Sequence, residues 1–313
     1  MRNIFCFAVA CLLCAACTKT ANQTDKNIQF QFKFEPTQDR LDGFGRLQNT
    51  LPAGHAGQTP TFNSMAIHYI ELAKDSLTPL GTGVILYRGT ETTVGGANAI
   101  DFSKLAVKGA NAPFLPLPLK GIAAGEYKWI RVSVAYQNLD IKYNLVNLNT
   151  AWGLGTTQLN QGGRVAALIG FNSYVTNLQI DQQSVAVNAN KTQGFGAMET
   201  KFSGPLAQPP YSTYIPNRVI TWQSPAGATT VVNPFPLPLP AGSCVVTGKF
   251  AKPLVITGAE TADILTTLSF SINKSIEWID TNGNGQLDFD VQNSANNEAV
   301  IDMGLRGLKP SWQ

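Results

Sequence analysis

The chain has 313 residues, 44% of them apolar, with 28 glycines, 18 prolines and a formal net charge of +3. That much apolar material fills one large core or two modest ones. A charged fraction of 14%, against the roughly 25% of average domains, suits short strands and turns better than helices. A small net charge without a Lys/Arg run excludes a phosphate-binding surface, so no nucleic acid is expected as a partner.

Arg2 precedes the apolar run Ile4 to Ala16, a positive start followed by a stretch too short to span a bilayer. The run ends Leu13-Cys14-Ala15-Ala16-Cys17, two small residues before a cysteine. This ending resembles the lipobox of bacterial lipoproteins, where the signal is cut before the cysteine and the cysteine is acylated. Cys14 stands where that family carries Leu, with Leu13 one residue away. A secretory signal cleaved near Ala16 is the plain alternative. The resemblance implies a signal over 1–16, lipidation at Cys17 and a polar tether over 17–27. It also implies a membrane partner through the lipid anchor, at the outer membrane or cell surface, facing the periplasm or the exterior. The mature chain then keeps only Cys17 and Cys244, so no internal disulfide is expected. Cys244 opens the apolar run Cys244-Val-Val-Thr247 and reads as a small buried hydrophobe.

Ile28 to Glu35 alternates strictly, with Ile28, Phe30, Phe32 and Phe34 on one face, the pattern of a half-buried strand. Residues 36–60, rich in Gly and Pro, read as a long loop. Strands are expected at 62–72 and 83–87, with a short strand or helical turn at 101–105. Phe114-Leu-Pro-Leu-Pro-Leu119 is excluded from a central strand because alternate prolines remove ladder donors. Gly125 to Tyr136 reads as a long strand. Tyr127, Trp129 and Ile130 are apolar in near succession, so a bulge or bend must break the alternation. Residues 141–148 and 163–180 read as partners of a long hairpin. Further strands are expected at 183–188, 219–222, 244–247, 254–257, 264–273, 275–279 and 300–308. No segment holds helical periodicity over three turns. The expected fold is all-β, an antiparallel sandwich of immunoglobulin-like or transthyretin-like type over 28–313.

Phe62-Asn-Ser recurs as Phe171-Asn-Ser, and Phe114-Leu-Pro-Leu-Pro as Phe235-Pro-Leu-Pro-Leu. The order is kept, so the body either is continuous or holds two sandwich-like halves, 28–160 and 161–313. The run from Phe62 through Asp101-Phe-Ser-Lys-Leu105 to Ile122-Ala-Ala-Gly-Glu-Tyr-Lys-Trp-Ile-Arg-Val132 resembles β-sandwich domains of bacterial envelope lipoproteins. These include domains of unknown function and the methanobactin-partner domain. The likeness covers about a quarter of the chain and implies the architecture. It also suggests copper handling as an alternative role, although no ligand can be carried over.

The stretch Asp280-Thr-Asn-Gly-Asn-Gly-Gln-Leu-Asp288-Phe-Asp290 places acids and amides at alternate positions with glycine sixth, the pattern by which a loop wraps calcium in oxygen. Asp280, Asn282 and Asn284 take positions one, three and five, Gln286 offers its backbone carbonyl at seven, and Asp288 takes nine. Position twelve is Val291, so Asp290 or Glu298 is left to close the shell. The metal-free alternative is an Asx-rich turn. His55 and His68 are the only histidines and read as isolated. No Gly-x-Ser-x-Gly elbow and no dinucleotide fingerprint occurs. Tyr211 and Tyr214 in a Pro-rich loop, with Trp152, are candidates for a flat ligand platform.

The expected function is a non-enzymatic binding or adhesion module, lipid-anchored in the envelope, with a structural calcium ion. Glycan, peptide or another envelope protein is the expected partner. A copper-handling lipoprotein and a glycan-processing enzyme are the alternatives.

Overall fold

The computed structural model describes residues 25–148, 157–201, 219–225, 227–235, 244–290 and 292–313. Cys17, Trp152, Tyr211, Tyr214 and Val291 lie outside these. Nineteen strands are described, and the helical turns described with them are two single 3-10 turns, at Phe102–Lys104 and Ser294–Asn296. The protein is all-β. Among the described residues no helix is long and apolar enough to cross a membrane.

The central sheet is organised on β8 (Gly125–Val146), whose 22 residues extend about 70 Å at the usual rise. Its order is β13 (Val219–Gln223), β12 (Phe195–Lys201), β9 (Thr157–Leu168), β8, β3 (Thr61–Ala73) and β4 (Val84–Arg88). The first half of β8 also pairs with β14 (Val245–Ile256), from Ser133 to Gly125. Its second half passes to β9, from Tyr136 to Val146. Where β3 ends, β17 (Asp288–Asp290) takes its place, parallel to Asn144–Val146.

The handover from β14 to β9 is made at Ala135. Val134 N–H donates to Cys244 O, and Ala135 O accepts from Ile169 N–H. Against β3 the pairs Ala66↔Tyr136 and Ile67↔Val134 leave Ala135 unpaired, while Ile67↔Val134 and Tyr69↔Ser133 leave His68 unpaired. Each is a bulge, and a bulge inverts the side-chain phase. Ile130, Val132 and Val134 therefore share the core with Leu139, Ile141 and Tyr143 despite opposite parity. The expected break near Trp129 is present too, as an excursion in β14. Lys249 pairs with Trp129 and Leu254 with Tyr127, so β14 spends four residues, including Pro253, where β8 spends one.

A second sheet covers one face of the first, in the order β19 (Leu308–Trp312), β15 (Ile264–Ser271), β1 (Asn27–Glu35), β7 (Phe114–Pro118). Ile28, Phe30 and Phe32 are fully buried, as the alternation of β1 requires. Phe32 packs 4.5 Å from Phe114, and Phe34 packs 4.7 Å from Phe62. The proline-bearing strands β7 and β19 form the two edges, where a missing N–H costs no ladder bond.

A third sheet, β11 (Ser184–Lys191), β10 (Ser173–Gln179), β6 (Ala99–Asp101), β5 (Glu91–Thr92), covers part of the opposite face over Ala66, Tyr136, Leu168 and Phe195. The smallest sheet is β18 (Val300–Asp302), β16 (Ile276–Ile279), β2 (His55–Gln58). Three named strand pairs run parallel: β1 with β15, β10 with β6, and β17 with β8.

Residues on both sides of position 160 share these sheets and one apolar cluster. Phe30, Val132, Leu268 and Phe270 pack together, so a boundary there does not separate two cores. The stretch 36–60 is less of a surface loop than its composition suggests. It contains β2 and the fully buried Arg40, which with Arg306 donates to Glu277 Oε2. His55 Nδ1 lies 2.7 Å from Glu277 Oε1. The network ties the early loop to the C-terminal strands.

Candidate functional site

Strand β16 delivers Asp280 to the head of the C-terminal loop, and β17 takes the chain back into the central sheet beside β8. Trp278 is buried under the loop, and its indole N–H donates to Gln286 O at 3.2 Å. Leu287 and Phe289 are buried on the far side, with Phe289 edge-on to Tyr143 at 5.5 Å. These apolar anchors fix both ends of a polar stretch whose own residues, 281–286, are exposed. The turns require Gly283 (φ 71°) and Gly285 (φ 72°), a left-handed conformation that costs other residues about 1–2 kcal/mol.

The Asp280 carboxylate accepts three backbone N–H groups: Gly283 at 2.9 Å, Asn284 at 3.2 Å and Gly285 at 2.9 Å. Asn282 Oδ1 accepts from Asn284 N at 3.0 Å, and Asn284 Oδ1 from Gln286 N at 2.7 Å. Both amides turn Nδ2 to the same atom, Asp288 Oδ2, at 2.6 and 2.9 Å. The other oxygen of Asp288 accepts from Asn144 Nδ2 of β8 at 2.7 Å. Asp280, Asn282, Asn284 and Asp288 are thus brought together, as their spacing implies.

Glu298 completes the base of the loop. Its Oε1 accepts from Thr281 N at 2.9 Å and its Oε2 from Asp288 N at 2.9 Å. Burial raises the Glu298 pKa, and the Asp288 charge adds to that rise against the pull of the Asp288 and Thr281 N–H groups. Two carboxylates that repel each other across a backbone turn are what a cation relieves.

Asp290, expected to help close the coordination shell, is not brought to it. Its carboxylate serves the following turn instead. Oδ1 accepts from Gln292 N and Asn293 N at 2.9 and 2.8 Å, and Oδ2 from Asn147 and Asn296 Nδ2 at 2.7 and 2.9 Å. The Asn296 amide, with the Asn293 N–H and the Asn147 amide, holds its pKa down at about 2. The reason lies in β17, which puts Asp288 and Asp290 in a strand paired with Asn144–Val146. The chain therefore leaves the loop before Asp290.

The donor set meets part of what a calcium ion needs. Asp280, Asn282, Asn284 and Asp288 form an oxygen-rich group of two carboxylates and two amides, which suits a hard cation. The amides show Nδ2 to Asp288, so an ion in their midst needs both to rotate and present oxygen. Gln286 O already accepts one hydrogen bond and keeps a second lone pair. Among the described residues, no three His, Cys, Asp or Glu side chains gather at one point. The fit therefore depends on the asparagines. The supporting Asn144 and Asn147 come from more than 130 positions upstream, and nothing in the loop's own spacing signals them.

The histidines are apart in role as well as in sequence. His55 belongs to the Glu277 network. His68 is the bulged residue of β3, and burial lowers its pKa. Cys244 is buried, which pushes its thiol up to about 12, as a packing residue requires rather than a nucleophile. No family model matches the chain, nor does any curated protein or solved structure.

Proposed function

We propose that the chain is a lipid-anchored cell-envelope protein of binding type, held through Cys17, with a calcium clasp at its C-terminal loop. The observation that carries the anchor is the ending Ala15-Ala16-Cys17, set ten positions before the first strand residue, Asn27. Between them runs a polar stretch without hydrophobic patterning, which suits a tether. The gathering of Asn282 and Asn284 on Asp288, over the buried Glu298, supports the clasp. Asp280, Asn282, Asn284 and Asp288 are the side chains that would hold the ion. Bound there, calcium supplies a charge that offsets Asp288 and Glu298 and fixes the return from β16 to β17.

Three of the buried acids serve the frame. Glu71 holds the 75–83 loop, Glu277 the 36–60 loop, and Glu298 the clasp. Trp152, Tyr211 and Tyr214, which lie outside the described residues, remain the candidate contacts for glycan, peptide or envelope protein. Fractionation of cells making the full chain tests the anchor. Membrane association with a diacyl mass on Cys17, released to the soluble fraction by Cys17→Ala, is the expected result. An unmodified mature protein beginning elsewhere overturns it. Loss of glycan-array binding on Tyr211→Ala or Tyr214→Ala tests the platform.

A further inference from the structure

The second face of the central sheet is covered in two separate pieces. The β11-β10-β6-β5 sheet lies over Ala66 and Tyr136. The loops 75–83 and 227–235 lie over Arg131, which donates to Thr78 O at 2.5 Å and sits 4.8 Å beneath the Phe235 ring. Between the two covers a cavity of about 360 Å³ remains, within the range of small-ligand sites. Its floor is Tyr69, Ser133 and Val245, cross-strand neighbours on β3, β8 and β14. The His68 bulge shapes its wall. In a regular strand His68 and Tyr69 would face opposite ways, yet both line this cavity.

The carboxylate of the lining is already engaged. Glu91 Oε2 accepts from Asn98 Nδ2 at 2.6 Å, and Oε1 lies 3.2 Å from His68 Nε2 and 3.7 Å from Arg88 Nη1. Behind the floor, Glu71 accepts from Gly81 N, Gly83 N and Arg131 Nη1. One buried donor is left over. The Tyr69 hydroxyl is buried and completes no hydrogen bond of normal geometry, a standing cost that an oxygen of a bound molecule relieves. Burial, the nearby Glu71 charge and a loose contact of the hydroxyl with the Glu71 carboxylate raise the Tyr69 pKa, so the hydroxyl stays a donor that a better-placed oxygen can draw away. Arg88 spreads its guanidinium 5.4 Å over the Tyr69 ring and is 59% exposed, with Glu91 Oε1 3.7 Å from its Nη1. Leu80, Phe171 and Val245 supply the apolar remainder.

We propose that this cavity binds a small organic monocarboxylate. Its carboxylate meets Arg88 and the Tyr69 hydroxyl, and its apolar body lies against Leu80, Phe171 and Val245. Glu91 offsets part of the Arg88 charge, which selects one negative charge over two. The site stands independently of the anchor and of the calcium clasp, and neither Cys17→Ala nor chelation of calcium should change it.

The test is amide NMR and calorimetric titration of the full mature chain with benzoate and hexanoate, against benzyl alcohol and hexanol. Shifts centred on Tyr69, Ser133 and Val245 are expected, with each acid binding at least about tenfold tighter than its alcohol. Arg88→Met should weaken benzoate about tenfold or more, and Tyr69→Phe about threefold or more, with melting temperatures of the exposed Arg88 variant unchanged. Equal affinity for acid and alcohol, or unweakened benzoate binding by Arg88→Met, overturns the proposal. So does a titration of the unmodified chain that moves no resonance around Ser133, a result that does not depend on any variant folding.

Discussion

Asp280→Ala separates the calcium clasp from a simple turn. Asp280 is half-exposed and accepts the N–H groups of Gly283, Asn284 and Gly285. Removing its carboxylate leaves three donors that water can reach, so without calcium the substitution costs only about 1 kcal/mol. With calcium the difference widens. Loops of this kind in extracellular proteins bind with dissociation constants of about 10⁻⁴ to 10⁻³ M. At about 10 mM calcium the folded state then gains about 1.4–2.7 kcal/mol by mass action. For a chain of this size that raises the melting temperature by about 2–4 °C. Paired thermal scans in calcium and in EGTA measure both quantities. The unchanged chain should show the full rise and Asp280→Ala almost none. Equal melting temperatures of the unchanged chain in the two buffers would refute the clasp. A variant that keeps the rise would remove Asp280 from the ligand set.

Three further substitutions or titrations probe the frame. Arg131→Met leaves Glu71, at 0% side-chain exposure, charged and without its cation, and should lower stability by about 3–5 kcal/mol in urea unfolding; a loss below about 1 kcal/mol would mean water reaches the pair. Gly170→Ala drives a methyl group into the Val134 carbonyl at the handover from β14 to β9 and should cost about 1–3 kcal/mol, read from the same unfolding curves. Asp290 should titrate at about 2 in carboxyl NMR rather than near the unperturbed value of about 3.9. Because its folded pKa is depressed, its contribution is present above the unfolded value and lost as pH falls through the folded one. Amide protection in 292–297 should therefore survive at about pH 3; a titration near 3.9 would contradict the four-donor cage.

How far the sequence was readable follows from where each strand gets its signal. Strand β1 is buried on one face along its whole length, so its alternation survives intact. Strand β8 is buried on both faces through its middle and changes phase at Ala135. Periodicity therefore revealed its first half and its last residues but not the continuity between them. Strand β2, His-Ala-Gly-Gln, has no β pattern; it is held by main-chain pairing to Ile276–Ile279, which a local window cannot see. Strand β12 has no counterpart among the expected strands; Phe-Gly-Ala-Met-Glu-Thr-Lys lacks a clean alternation and is buried on both faces. There Gly196 makes room for the Trp222 ring of the neighbouring strand.

The candidate site divides the same way. Asp280, Asn282, Asn284 and Asp288 are close in sequence, and their convergence is a matter of turn geometry. Asn144 and Asn147 reach the loop only through the pairing of β17 with β8. The cavity beside His68 depends on a bulge set by register against β8, and on Glu91, twenty-three positions along the chain.

A pull on the chain from the Cys17 side enters the folded body at Asn27, the first residue of β1. That strand is interior to its sheet, parallel to β15 from Ile28↔Ile264 to Glu35↔Ser271 and antiparallel to β7 on its other side. The load then runs along the strand, while the ladder bonds lie across it. They must shear together rather than break in succession, and Phe30 and Phe32 must leave the core in the same event. A body hung from this end resists drag with a whole ladder at once.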